Sequence, residues 1–204
     1  MGDNRMRGTL ISFEGLEKVG KTTQIRRLAL WLRSLGHTVT VLREPGGTML
    51  GETLRGMLLH TVQIHSAAAE FLLFAAARAE LVTTVIQPAL EEGQIVILDR
   101  YGDSSAAYQG FGRGLEVKWI TLVNEKVTAG VEPDMTFWLR GPSFAVGDDN
   151  IESQDQGFFA RVEEGYETLA SQEPARWHII PSARPADAVS RDIQAAVRET
   201  LNIG

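Results

Sequence analysis

The sequence contains no cysteine, which excludes a disulfide framework and any zinc site built on thiolates. It has no apolar run of membrane-spanning length, and no basic n-region followed by a hydrophobic stretch at its start. The expectation is a cytoplasmic chain with no membrane partner. Positive charge is also scarce: 20 Lys and Arg stand against 26 Asp and Glu, for a net charge of -6. Nucleic-acid surfaces usually carry a basic stripe, so a nucleic-acid partner is not expected, although a local basic site for a small anion is compatible. The four histidines, at 37, 60, 65 and 178, lack metal-ligand spacing. No internal repeat or low-complexity tract is present. The 204 residues suit one α/β domain with a full core over 1–204, with a polar, disordered segment expected over 1–7.

What is present centres on Gly15-Leu16-Glu17-Lys18-Val19-Gly20-Lys21-Thr22-Thr23. The spacing is G-x4-G-K-T, between the apolar run Leu10-Ile11-Ser12-Phe13 and a long amphipathic segment, so it reads as strand, glycine loop and helix. Gly15 and Gly20 permit backbone angles that let successive N–H groups converge on phosphate oxygens. Lys21 adds a cation for the β- and γ-phosphates, and the Thr22 hydroxyl suits Mg²⁺. The following helix directs its positive end at the same anion. Phosphate binding by residues 15–23 follows.

Apolar spacing at Ile25, Leu28, Ala29, Leu32 and Leu35 predicts a helix stopped by Gly36. A second strand at Val39 and Val41 ends at Arg43-Glu44. Pro45 to Thr48 forms a turn, and a short helix then carries Arg55. Ala67 to Glu92 predicts one long, largely buried helix that Pro88 kinks and Gly93 ends. Arg78 on that helix requires a partner or a cleft. Ile95-Val96-Ile97-Leu98 is a continuous apolar run that ends at Asp99-Arg100, as a central parallel strand would. Ser104 to Gly114 reads as a loop and helix start.

A helix over Val117–Ala129, a strand over Met135–Leu139, a helix over Gly157–Ala170, a strand over Trp177–Ile180 and a helix over Asp187–Leu201 complete the chain. Gly141 to Gln156, with Asp148, Asp149, Asn150, Glu152 and Asp155, reads as a short flap. Five strands with intervening helices predict a doubly wound parallel sheet with helices on both faces. Its site is expected at the carboxyl ends of the strands, where Gly15, Arg43, Asp99 and Arg140 fall.

With those residues in view, the chain resembles the bacterial thymidylate kinases. FEGLEKVGKTT, LREPGGT, LLFAAAR, LDRYGDSSAAYQG and RPADAV carry the resemblance across nearly the full length. It implies a five-stranded P-loop NTPase fold, a homodimer, and transfer of the ATP γ-phosphoryl group to dTMP with Mg²⁺. Phe74 matches the ring that stacks on thymine, and Arg78 the arginine at its carbonyl. Ser105 and Gln109 match residues near the base. Tyr108 matches the ring near C2′ of the deoxyribose, and Arg100, assisted by Arg55, the grip on the acceptor phosphate. Asp99 and Glu17 match carboxylates near the metal, Glu17 also facing the sugar; Glu44 matches one near metal-bound water. The plain alternatives are a core phenylalanine for Phe74, a buried ion pair for Arg78, surface salt bridges for Arg100 and Arg55, and a partly buried tyrosine for Tyr108.

One departure bears on catalysis. Many bacterial members have glycine where this chain has Lys18, and arginines in the flap; residues 141–156 contain neither Lys nor Arg. Lys18 is therefore expected, with Lys21 and Arg100, to supply charge to the transferring group. The rival readings are a kinase for another pyrimidine monophosphate, a non-enzymatic nucleotide switch, and a family member that binds substrates without turnover.

Overall fold

Five apolar stretches become the strands of a single parallel sheet in the computed structural model, which describes residues 7–61, 63–142, 151 and 154–203. Most of the expected flap, including Asp148, Asp149, Asn150 and Glu152, lies outside the described residues, as do residues 1–6 of the expected disordered segment.

In chain order, β1 (Thr9–Glu14) leads through the phosphate loop into α1 (Lys21–Ser34), then β2 (Val39–Arg43) and α2 (Met49–Gly56). After a π-helical turn at Met57–Thr61 come α3 (Ala67–Leu81), a second π-helical turn (Val82–Ile86), α4 (Gln87–Glu91) and β3 (Ile95–Asp99). The rest is α5 (Gly102–Ser105), a third π-helical stretch (Ala106–Gly112), α6 (Val117–Val127), β4 (Met135–Arg140), α7 (Gln156–Gln172), β5 (Trp177–Pro181) and α8 (Ala186–Leu201).

The sheet order is β2-β3-β1-β4-β5. Side chains alternate between the two covered faces, so the inner strands β1, β3 and β4 bury nearly every residue, whereas the edge strands β2 and β5 are part exposed. Leu10, Val96 and Leu98 pack with Leu81, Ile86 and Leu90 on one face. Ile11, Phe13, Ile95 and Ile97 join α1 and α8 residues such as Leu28, Leu32 and Ile193 in the other cluster. In register, Phe13 and Arg43 both lie opposite Asp99, and Glu14 lies opposite Trp138. The carboxyl ends of the strands therefore share one rim, as expected.

One local expectation is refined and one revised. The helix expected over 67–92 runs unbroken from Ala67 to Glu91, with a π-helical turn inside it. Its departure from α geometry falls in the wide turn just before Pro88, where a ring without an N–H cannot continue the ladder. Ser104 to Gly114, expected as loop and helix start, is already helical from Gly102 to Gly112 and mostly buried. Small residues permit this: a Cβ on Gly112 would meet Phe158 at 2.6 Å, and one on Gly165 would meet Phe111 at 2.8 Å. Side chains there would hold this segment and α7 apart. No helix of the described residues is long and apolar enough to cross a membrane.

Candidate active site

A cavity of about 450 Å³ opens at the rim, with the phosphate loop at one end and Phe74, Arg78, Ser105 and Gln109 among its other lining residues. Gly15 has φ +128, and a Cβ there would lie 2.5 Å from the Leu139 carbonyl oxygen; Gly20, at φ +101, caps α1 in the left-handed region. These angles, forbidden to most side chains, wrap the loop around the helix end. Leu16 and Val19 turn their side chains into the core, leaving backbone groups as their contribution. Glu17, Lys18, Gly20, Lys21, Thr22 and Thr23 line the cavity.

Lys21 is buried, and its Nζ donates to the carbonyls of Gly15 at 3.0 Å and Leu16 at 2.7 Å. An ammonium has three donors, so one remains for a phosphate. Burial, followed by the nearby Arg100 charge, lowers its pKa to about 8 against the pull of Asp99, Glu17 and Glu14. Lys18 is exposed at the cavity, with φ 59.

Arg100 also adopts a left-handed backbone, φ 72, a conformation that costs a non-glycine residue free energy and clusters at working sites. Its Nη2 donates to Glu17 Oε1 at 2.5 Å and to the Tyr108 hydroxyl at 3.1 Å. Its Nη1 donates to Ser104 Oγ at 3.2 Å and Tyr166 Oη at 3.3 Å. The Tyr108 hydroxyl lies 2.9 and 3.0 Å from the two Glu17 oxygens. Burial, with Glu17 adding to it and Arg100 opposing it, keeps this phenol protonated. Behind them, Glu14 accepts from the Tyr101 N–H at 2.9 Å, Ser104 Oγ at 2.5 Å and Tyr166 Oη at 3.1 Å. Burial and then the charge of Asp103 raise its pKa to about 8.

Arg78 has both the partner and the cleft that a charge on this helix requires. It is buried and paired, with Nε donating to Glu44 Oε2 at 2.8 Å, and it lines the cavity. Asn124 Oδ1, the Tyr101 carbonyl and Ser105 Oγ take further N–H groups at 2.6, 3.2 and 3.0 Å. Five donors less these four bonds leave one. Glu44 keeps Oε1 buried without a partner, and burial, partly offset by Arg78, raises its pKa to about 6. Arg55 donates to the Pro45 carbonyl at 3.0 Å, after the cis Glu44–Pro45 bond, and also lines the cavity. Arg140 is not among the lining residues. It stacks on Trp138 and faces Glu163 and Glu167.

The Thr22 hydroxyl donates to Asp99 Oδ2 at 3.1 Å. A hydroxyl and a carboxylate at the phosphate end, Thr22 and Asp99, with the carboxylates of Glu17 and Glu44 among the residues lining the same cavity, form the all-oxygen donor set that Mg²⁺ takes. The residues fit that ion.

Several participants escape a linear reading: Ser104, Tyr166, Asn124, Glu70, Leu59 and Ile151. Glu14 left one signal, a carboxylate closing an apolar strand. Tyr166 left none, since it comes from α7, 66 positions after Arg100.

The family model described as thymidylate kinase matches residues 13–193. A thymidylate kinase of Deinococcus radiodurans is 43% identical over 200 residues, covering 94% of this chain and 97% of that protein. One from Pelotomaculum thermopropionicum is 42% identical over 207 residues, covering 97% and 96%. The crystal structure of thymidylate kinase from Ehrlichia chaffeensis superposes with a TM-score of 0.79 at 34% identity, over 94% of this chain and 99% of that one.

Proposed function

The chain belongs to the thymidylate kinase family and phosphorylates dTMP, and from that premise we propose how its own residues divide the work. The observation that carries the reading is the continuity of one cavity from the phosphate loop to Phe74, Arg78 and Gln109. It lets a donor triphosphate and an acceptor monophosphate meet head to head.

At the donor end, the backbone N–H groups of residues 15–23 and Lys21 hold the ATP phosphates. Thr22, Asp99 and Glu17 are the residues that would hold Mg²⁺, with Glu44 supporting them. When bound, the ion supplies charge neutralisation between the phosphates. At the acceptor end, the face of Phe74 stacks on the pyrimidine, and Arg78, Ser105 and Gln109 meet its polar edge. Tyr108 packs beside the deoxyribose, where bulk disfavours a 2′-hydroxyl, and Glu17 faces the sugar.

Arg100 and Arg55 grip the acceptor phosphate. A guanidinium fork matches phosphate oxygens with parallel hydrogen bonds. The Glu17–Arg100 contact must loosen to admit the phosphate, and the Ser104 and Tyr166 contacts on Nη1 then keep the fork aimed. A dianionic acceptor needs no side-chain base. The protein contributes alignment for in-line attack and cationic charge from Lys18, Lys21 and Arg100. Two chains associate as a homodimer.

Purified protein with ATP and Mg²⁺ is assayed for ADP release against dTMP, dUMP, UMP, CMP and no acceptor. The expected result is strong acceptor-dependent turnover with a preference for dTMP. Preference for a ribonucleotide would overturn the Tyr108 assignment, and acceptor-independent turnover the aligned-transfer reading.

A further inference from the structure

Glu70 on α3 is only 5% exposed and does not line the cavity. Its Oε1 accepts from Gln109 Nε2 at 2.9 Å and from Arg113 Nε at 3.3 Å, and its Oε2 accepts from Arg113 Nη2 at 3.0 Å. Arg113 is itself held by Gln154 Oε1 at 2.8 Å and lies over the Phe158 ring at 5.0 Å. A carboxylate paired with a guanidinium only accepts hydrogen bonds. The Gln109 amide must therefore turn its NH₂ toward Glu70 and its carbonyl away. Gln109 lines the cavity, no described residue donates to its Oε1, and that oxygen is not among the buried atoms without partners. It is an acceptor held open to the cavity.

We propose that Glu70 is a specificity-determining positioning residue: by locking Gln109 carbonyl-outward, it selects a pyrimidine that carries N–H at ring position 3. This rests on the reading that Gln109 meets the base. Thymine and uracil place an acceptor, O4, beside a donor, N3–H; cytosine places a donor, its 4-amino group, beside an acceptor, N3. Arg78 retains one N–H beyond its four bonds, so Arg78 and Gln109 together offer donor and acceptor. That pair matches thymine or uracil and opposes cytosine at both atoms. A free glutamine could flip its amide and accept either base. The Glu70–Arg113 pair removes that freedom.

The experiment compares kcat/KM for dTMP, dUMP and dCMP, or inhibition constants where turnover is too slow, in wild type, Glu70→Gln, Glu70→Met, Gln109→Leu and Glu70→Gln/Gln109→Leu. Thermal melting checks that each variant folds. Glu70→Gln, isosteric but able to donate as well as accept, is expected to lower dTMP-over-dCMP discrimination by about tenfold or more. The dTMP-to-dUMP ratio stays unchanged, because both bases carry N3–H. Glu70→Met removes the acceptor and is expected to act alike, so the test survives if one variant does not fold. The double variant should lose no more discrimination than Gln109→Leu alone.

Equal loss for all three substrates would mean that Glu70 is only structural. Discrimination lost in Gln109→Leu but kept in both Glu70 variants would overturn the positioning role while leaving the base contact standing. Discrimination kept in Gln109→Leu would remove the base contact itself, and the proposal with it.

Discussion

Lys21 shows what burial does to a cation proposed to bind phosphate. Its pKa falls from 10.5 to about 8, first through desolvation and then through Arg100. Between those values the unfolded chain holds the proton and the folded, ligand-free chain does not, so this group's contribution to stability rises with pH across that window. ATP has the opposite preference, since its phosphates favour the charged form. Binding above pH 8 must therefore take up a proton. ATP affinity, measured by calorimetry, should be level below about pH 8 and weaken above it, by at most about tenfold per pH unit. Lys21→Ala should bind weakly with no such slope. Lys18 makes a different prediction. Alanine is as strained as lysine at φ 59, so Lys18→Ala removes the side chain without relieving the backbone. If Lys18 supplies charge to the transferring group, kcat should fall about a hundredfold with nucleotide binding little changed. Equal losses in both would count against that role.

At the scale of elements, α7 and the segment Ala106–Gly112 are the pair that builds the back of the site. They meet through small residues, Gly112 under Phe158 and Gly165 under Phe111. The contact lets Tyr108 and Tyr166 approach edge to face at 6.4 Å and reach Arg100 from two sides. A larger side chain at this seam has no room, because the first atom it would meet is the near part of an aromatic ring in a packed interior. Gly165→Val should cost about 1–3 kcal/mol of stability, read from the midpoint of denaturant unfolding. An unchanged midpoint would mean that the two elements can part freely.

At the scale of the molecule, the sheet gathers the working groups on one rim and leaves the outer faces of α3 and α6 to another role. Phe71 and Trp119 join the two helices edge to face at 5.1 Å, while Leu72 and Leu122 stand 48% and 53% exposed. Apolar side chains on adjacent helices are what the proposed homodimer would cover. Light scattering should give twice the mass of one chain, and Leu72→Glu combined with Leu122→Glu should halve it. A wild-type mass of one chain would overturn the assembly.

Much of this was legible in the linear chain because it depends on local rules. The loop over Gly15 to Thr23 is specified by consecutive residues, and apolar runs bounded by glycine reveal buried parallel strands wherever they occur. The place of the candidate site at the carboxyl ends of those strands follows from the parallel arrangement itself. The site's supporting layer was not legible in that way. Nothing in its own neighbourhood says that Tyr166 will reach Arg100, that Glu14 will lie beneath both, or that Glu70 will turn the amide of Gln109. The full helical extent of 106–112 was equally hidden, since glycine and alanine there read as loop and helix start until Phe158 and Phe111 are seen filling the space they leave. Local conformation and burial period are written in neighbouring residues, whereas the direction of a buried donor or acceptor depends on whichever distant group satisfies it. The sequence thus determined the fold and the chemistry, and the tertiary packing decided how each polar group is aimed.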